Sequence, residues 1–193
     1  MNNSSQERVE IIGCTASGKT SLCKTMQKFG WDPIYEPYEY NPFLTSFFER
    51  QDCAFELQMC FLLQHYNKIK NANHSSKKIV CDFSLFLDSI YASILLSDKE
   101  LSVYNELLSY TVSQINPPKY IIKLICPNDV ILERIKYRNR DFEKNTDPKF
   151  VEELNRRINF YETNCKQIQI NSDQINLLNV IEVYEKIVKR IND

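Results

Sequence analysis

The stretch Gly13-Cys14-Thr15-Ala16-Ser17-Gly18-Lys19-Thr20 restricts the fold of this chain more than any other. Its two glycines are four residues apart, a lysine and a threonine follow at once, and the strand candidate Val9–Gly13 leads into it. This is the G-x-x-x-x-G-K-[ST] pattern in the strand-then-helix setting that it requires. Glycine at both ends lets the backbone turn its N–H groups toward phosphate oxygens. The helix starting near Lys19 adds the positive end of its dipole. In such a loop the lysine balances phosphate charge and the Thr20 hydroxyl ligates Mg²⁺. The candidate ATP contacts are therefore Gly13, Cys14, Thr15, Ala16, Ser17, Gly18, Lys19, Thr20 and Ser21.

The rest of the chain alternates short β-like runs with longer helical ones, which predicts an α/β fold with a parallel sheet. Strands are expected over Val9–Gly13, Pro33–Glu36, Lys78–Asp82, Tyr120–Cys126 and Lys166–Ile170. Helices are expected over Lys19–Phe29, over Asp52–Lys70 with Phe55, Met59, Leu62, Tyr66 and Ile69 at helical spacing, and over about Asn176–Ile191. Ser97 followed by Glu100 has the capping-box pattern, and Asp147-Pro148 offers an N-cap with proline at the first helical position. A length of 193 residues without repeats or linkers suits a single domain over 1–193, with residues 1–7 as a flexible lead-in.

Composition excludes several classes. A formal net charge of −1 creates no global field for nucleic acid or an anionic membrane. No apolar stretch is long enough to span a bilayer, and the N-terminus lacks the plan of a signal peptide, so a cytoplasmic location is expected. The seven cysteines form no C-x-x-C pair and lie mostly in apolar runs, which reads as reduced cysteine in a core.

With only Gly13, Gly18 and Gly30, the chain has neither a D-x-x-G switch nor a G-x-G-x-x-G dinucleotide loop. A small P-loop kinase remains. The apolar run ending at Asp82 places an acid where such proteins hold the metal, so Thr20 and Asp82 are the metal candidates; the alternative for Asp82 is to cap the next helix. Between the loop and Arg134 the only arginine is Arg50, whereas a monophosphate acceptor needs arginine clamps. Residues Asp32, Glu36, Glu39, Glu49, Asp52 and Glu56 make that region acidic instead, which suits an uncharged alcohol. Glu36, at the end of the second strand candidate, is positioned to take the hydroxyl proton.

These segments, in order, resemble the deoxyribonucleoside kinases, and within them the bacterial deoxyguanosine and deoxyadenosine kinase branch. The resemblance runs through GCTASGKT, YEPYEYNPFLTSFF, FELQMCFLLQHY, CDFSLFLDSIYASILLSDKELSVY and ERIKYRNRDFE, nearly the whole chain. It implies a five-stranded parallel sheet of order 2-3-1-4-5 flanked by helices, with an arginine lid, and a homodimer. It also implies transfer of the γ-phosphate of ATP to the 5′-hydroxyl of a deoxyribonucleoside, a purine one, with Mg²⁺ as cofactor. By position, Glu36 becomes the general base, Gln58 and Asp88 read the nucleobase, and Glu143 holds the sugar 3′-hydroxyl. Arg134, Arg138 and Arg140 belong to the lid.

The chain also departs from that pattern. Asp82-Phe83-Ser84 stands where the family often has Glu-Arg-Ser, and His65, expected to contact the base, stands where an arginine is common. Phe47 or Phe48 takes the place of a sugar-binding tyrosine; Tyr38 and Tyr40 are further candidates to line the sugar pocket. Two other readings stay open on the sequence: a nucleoside-monophosphate kinase, and a catalytically silent nucleotide-binding sensor or partner subunit.

Overall fold

The computed structural model describes residues 6–50, 52–72, 78–143 and 146–192. Among these, one parallel sheet is built from β1 (Glu7–Gly13), β2 (Asp32–Ile34), β3 (Lys78–Cys81), β4 (Tyr120–Ile125) and β5 (Lys166–Asn171). The strand order is β2-β3-β1-β4-β5, as expected. β1 is central: Val9 lies opposite Val80 on one side and Tyr120 on the other. Strands covered on both faces read as continuous apolar runs, which is why they were legible. Of the expected lead-in 1–7, residues 1–5 lie outside the described residues, and Glu7 already belongs to β1.

Helices cover both faces. They are α1 (Lys19–Gln27), α2 (Leu44–Arg50), α3 (Ala54–Lys70), α4 (Leu85–Leu95), α5 (Asp98–Ser113), α6 (Asn128–Arg138), α7 (Pro148–Phe160), α8 (Val180–Val183) and α9 (Lys189–Asn192). On one face Leu22 and Met26 of α1, with Val183 and Ile191, pack on Val9, Ile11, Ile122 and Leu124. On the other, Leu87, Ile131, Val151 and Leu154 pack on Ile12 and Ile121. Burial of each such side chain contributes about 1.5–3 kcal/mol. No helix among the described residues is long and apolar enough to cross a membrane.

The capping predictions hold. The Ser97 N–H donates to Glu100 Oε2 at 2.9 Å, and the Lys149 N–H donates to Asp147 Oδ1 at 2.9 Å. Three helix boundaries differ from expectation by two residues or more. The helix expected from Asp52 begins at Ala54, because Cys53 adopts a left-handed conformation (φ 61°). The first helix ends at Gln27 rather than Phe29. The last helical segment begins at Val180 rather than Asn176 and includes a π-helical stretch, Tyr184–Val188. Asn176 Oδ1 accepts the Leu178 N–H and Asn179 Oδ1 accepts the Ile181 N–H, so side chains compete with the helix and delay it.

Charged side chains are also buried in the sheet. Glu10, in β1 and 1% exposed, accepts from Arg8 Nε at 2.8 Å and from Ser84 Oγ at 2.6 Å. This pairing satisfies a buried carboxylate and ties the start of α4 to the central strand.

Candidate active site

The carboxyl ends of the strands face one crevice, and β1 runs from it directly into the phosphate loop. Gly18 caps α1 with φ 104°, and a Cβ there would come within 2.5 Å of Leu177 Cδ1. Gly13 serves close approach: its Cβ would meet Ser17 Oγ at 2.5 Å. The other left-handed residue of the turn is Ala16, at φ 55°. Gly18→Ala should therefore destabilise the fold by about 1–2 kcal/mol through backbone strain. Urea unfolding with an unchanged m-value would read this as a lower midpoint.

Lys19 Nζ donates to the carbonyls of Gly13 (3.0 Å) and Cys14 (3.1 Å), drawing the loop around itself. Burial lowers its pKa, and Glu36, Cys14 and Asp82 partly restore it. Thr15, Ala16, Gly18, Lys19, Thr20 and Ser21 line a cavity of about 630 Å³. Cys14 and Ser17 are fully buried and lie outside that lining, so the loop offers their backbone rather than their side chains. Burial also pushes the Cys14 thiol up to about 12.

Glu36 does not close a strand as expected. β2 ends at Ile34, and the Glu36 N–H leaves the ladder to donate to Asp82 Oδ1 at 2.7 Å. The turn still delivers the Glu36 carboxylate to the cavity wall. Its pKa is raised by burial, against the lowering effect of His65 and Lys19. The other oxygen of Asp82, Oδ2, accepts the Thr20 hydroxyl at 2.6 Å. Asp82 is not the cap of α4; Ser84 is, accepting the Phe86 N–H at 3.2 Å. Thr20 and Asp82 thus set two hard oxygens side by side. No cluster of three or more His, Cys, Asp or Glu ligands occurs among the described residues. That donor set fits Mg²⁺, which is held by one or two protein oxygens together with substrate phosphates.

The wall made by α3 and α4 contributes Leu57, Gln58, Phe61, Leu87, Asp88, Tyr91 and Leu95, and α2 contributes Leu44, Phe47 and Phe48. Neither of the two wall helices sends a lysine or arginine into it. Arg50 is spent elsewhere, 3.2 Å from Asp52 and largely exposed. Tyr91 was missed in the sequence, although its i+3 spacing from Asp88 places both on one side of α4.

Two expected wall residues are elsewhere. Tyr40 is 78% exposed, whereas Tyr38 lines the cavity; two residues along a three-per-turn helix point to different sides. His65 is 0% exposed and sits behind the wall. Its Nδ1 is 2.7 Å from Asp88 Oδ2, its Nε2 is 3.7 Å from Glu36 Oε1, and its ring stacks on Phe83 at 4.1 Å and 15°. Burial would lower its pKa, but the charge and hydrogen bond of Asp88, with Glu36 and Asp82, outweigh it and raise it.

The arginines close the opposite side. Arg134 and Arg138, one turn apart on α6, both line the cavity. Arg134 Nη2 donates to the Ser172 carbonyl at 2.9 Å, and Arg138 Nη2 donates to Thr15 Oγ1 at 3.0 Å. Asn139 ends α6 in a left-handed conformation, and a 3₁₀ turn over Asp141–Glu143 follows. Arg140 lies 4.4 Å over the Tyr38 ring, while Phe142 packs at 5.4 Å from Phe48. Glu143 does not line the cavity here. It is buried on Arg138, accepting from Nε at 2.9 Å and also from Nη2, and it accepts the Thr15 hydroxyl at 3.3 Å. The nearby guanidinium captures the carboxylate that the sugar was expected to use.

A sequence model of the family described as deoxynucleoside kinase matches residues 9–193. A deoxyguanosine kinase of Bacillus subtilis (strain 168) is 30% identical over 178 residues, 89% of this chain and 84% of that protein. A deoxyadenosine kinase of Lactobacillus acidophilus is 26% identical, covering 96% of this chain and 94% of that one. Among solved structures, a deoxyadenosine kinase from M. mycoides with bound dATP superposes with a TM-score of 0.78 at 20% identity. It covers 97% of this chain and all (100%) of that one. At that identity the superposition shows the shared fold.

Proposed function

This chain belongs to the deoxynucleoside kinase family, and we propose that it transfers the γ-phosphate of ATP to the 5′-hydroxyl of a purine deoxyribonucleoside, with Mg²⁺. The carrying observation is the polarity of one cavity. Lys19 lies in the phosphate loop, Arg138 reaches Thr15 of it, and Arg134 and Arg140 line the same cavity, while the α3–α4 wall offers Gln58, Asp88 and aromatic rings without a cation. An anionic acceptor would lack the arginine clamp that it needs on that wall; an uncharged nucleoside fits it. Deoxyguanosine and deoxyadenosine kinases among the relatives support a purine.

In this reading the loop N–H groups and Lys19 hold the β- and γ-phosphates, and Arg138 and Arg140 come in from the lid. Thr20 and Asp82 would hold Mg²⁺, which would supply neutralisation of phosphate charge. Glu36 accepts the 5′-hydroxyl proton as that oxygen attacks the γ-phosphorus and the bond to ADP breaks. Gln58 offers both an amide donor and an acceptor to the base edge, beside Asp88. Phe48 and Tyr38 border the sugar.

Glu143 has two tasks on this account: it anchors Arg138 in the arrangement seen, and it reaches the 3′-hydroxyl once the lid closes on substrate. Glu143→Ala should therefore raise KM for the deoxynucleoside and lower kcat about tenfold, the usual scale for a displaced charge near the transferring group. Steady-state kinetics with an unchanged KM would remove the sugar contact.

The function is tested by coupled ADP release with ATP and Mg²⁺ against the four deoxynucleosides, the ribonucleosides and the monophosphates. Turnover on deoxyguanosine or deoxyadenosine is expected. Activity only on a monophosphate would overturn the acceptor assignment.

A further inference from the structure

His65 stands between the two carboxylates of the acceptor wall without lining the cavity itself. Its ring is fixed on three sides. Asp88 Oδ2 takes Nδ1 at 2.7 Å, Phe83 stacks on its plane, and Phe61 covers it at a centroid distance of 5.6 Å. Nε2 is buried with no hydrogen-bond partner among the described groups, and it faces Glu36 Oε1 at 3.7 Å. A buried polar nitrogen without a partner costs about 1–3 kcal/mol, so a ring held in this orientation calls for a reason. The Lys19 charge also acts on Glu36, and Asp82 Oδ1 accepts the Glu36 backbone N–H, which fixes the turn that carries the carboxylate.

We propose that His65 is a positioning residue for the phosphoryl transfer: fixed by Asp88 and Phe83, its Nε2–H steers the Glu36 carboxylate toward the acceptor hydroxyl and couples the base-reading end of the cavity to the reacting end. The proposal rests on the reading of Glu36 as general base. It gives Asp88 a second consequence. A nucleobase that engages Asp88 alters the carboxylate that holds the imidazole, and through it the placement of Glu36. The chemistry requires an N–H at each ring nitrogen, a state favoured by a ring flanked by Asp88 and Glu36 with Asp82 nearby.

The test compares two amide replacements. In His65→Asn the amide nitrogen falls near the Nδ1 position and keeps the donor to Asp88, but nothing reaches Glu36. In His65→Gln the amide nitrogen falls near the Nε2 position and keeps the reach to Glu36. His65→Asn should lower kcat about 10²-fold, the cost of a misplaced reacting group, with KM for the deoxynucleoside within about twofold. His65→Gln should recover at least about tenfold of that loss while raising KM, because Asp88 loses its partner.

A double-mutant cycle separates the proposal from the reading on which it rests. In the Glu36→Gln background, measured in single turnover, His65→Asn should change the rate less than about threefold, because residues acting as a unit are not additive. An equal loss in both backgrounds, or equal damage by Asn and Gln, overturns the positioning role alone. Retention of kcat by Glu36→Gln itself overturns the base assignment and, with it, the proposal.

Discussion

Glu36→Gln is expected to lower kcat by about 10²–10⁴-fold, the range for removal of a positioned general base, while ATP and deoxynucleoside still bind. The substitution keeps shape and hydrogen-bonding capacity and removes only the ability to accept a proton at neutral pH. Binding should survive because the Glu36 backbone N–H stays on Asp82 Oδ1, so the turn after β2 is unaltered. The phosphate side of the cavity depends on Lys19 and the arginines, which the change does not touch directly. Isothermal calorimetry and steady-state kinetics on one preparation provide the check. If kcat stays within about threefold of wild type, proton removal by this carboxylate contributes little to the barrier.

Lys19→Met is the second large effect, about 10³-fold in kcat/KM, comparable to loss of a preorganised charge that stabilises the transferring group. The cause is specific to where Nζ sits. It is drawn into the loop by two carbonyls, in an environment that lowers its pKa by burial while Glu36 and Asp82 favour its charge. Methionine matches the stem but brings no charge and no donor. Lys19→Arg should not rescue, because a planar fork does not fit a space shaped for a compact ammonium. The thermal midpoint of Lys19→Met should match or exceed that of wild type, since a buried charge held for function is removed. A lower midpoint with intact kcat/KM would make Lys19 a structural pin and remove its catalytic role.

The phosphate loop was legible because its chemistry is local: spacing, an upstream strand and a downstream helix carry it within a short stretch. The placement of Asp82 beside Thr20 was legible for the same reason, as an acid directly after an apolar run. Other features depend on residues far apart in sequence. Gln58 and His65 are two helical turns apart and so share a face, yet one lines the cavity and the other is sealed behind it. Phe83, Asp88 and Glu36 decide that, and they come from two other segments of the sequence. The end of β2 was misread because Asp82 takes the Glu36 N–H out of the ladder. The same holds for Glu143, whose carboxylate is held by Arg138 and Thr15 on the far side of the phosphate loop. The buried pair Arg8 and Glu10 left a faint trace: two charges at i and i+2 of a strand fall on one face and can pair. Its third member, Ser84, becomes a neighbour only after folding.

The central claim is that phosphate leaves ATP for a deoxynucleoside hydroxyl, and product analysis by phosphorus NMR tests it most directly. The protein would be incubated with ATP, Mg²⁺ and deoxyguanosine or deoxyadenosine, and the phosphorus signals followed to completion. The account predicts a phosphate monoester coupled to the 5′ protons, formed in equal amount with ADP and absent with Glu36→Gln. ADP accompanied by free inorganic phosphate, or a monoester on the 3′ oxygen, would contradict it.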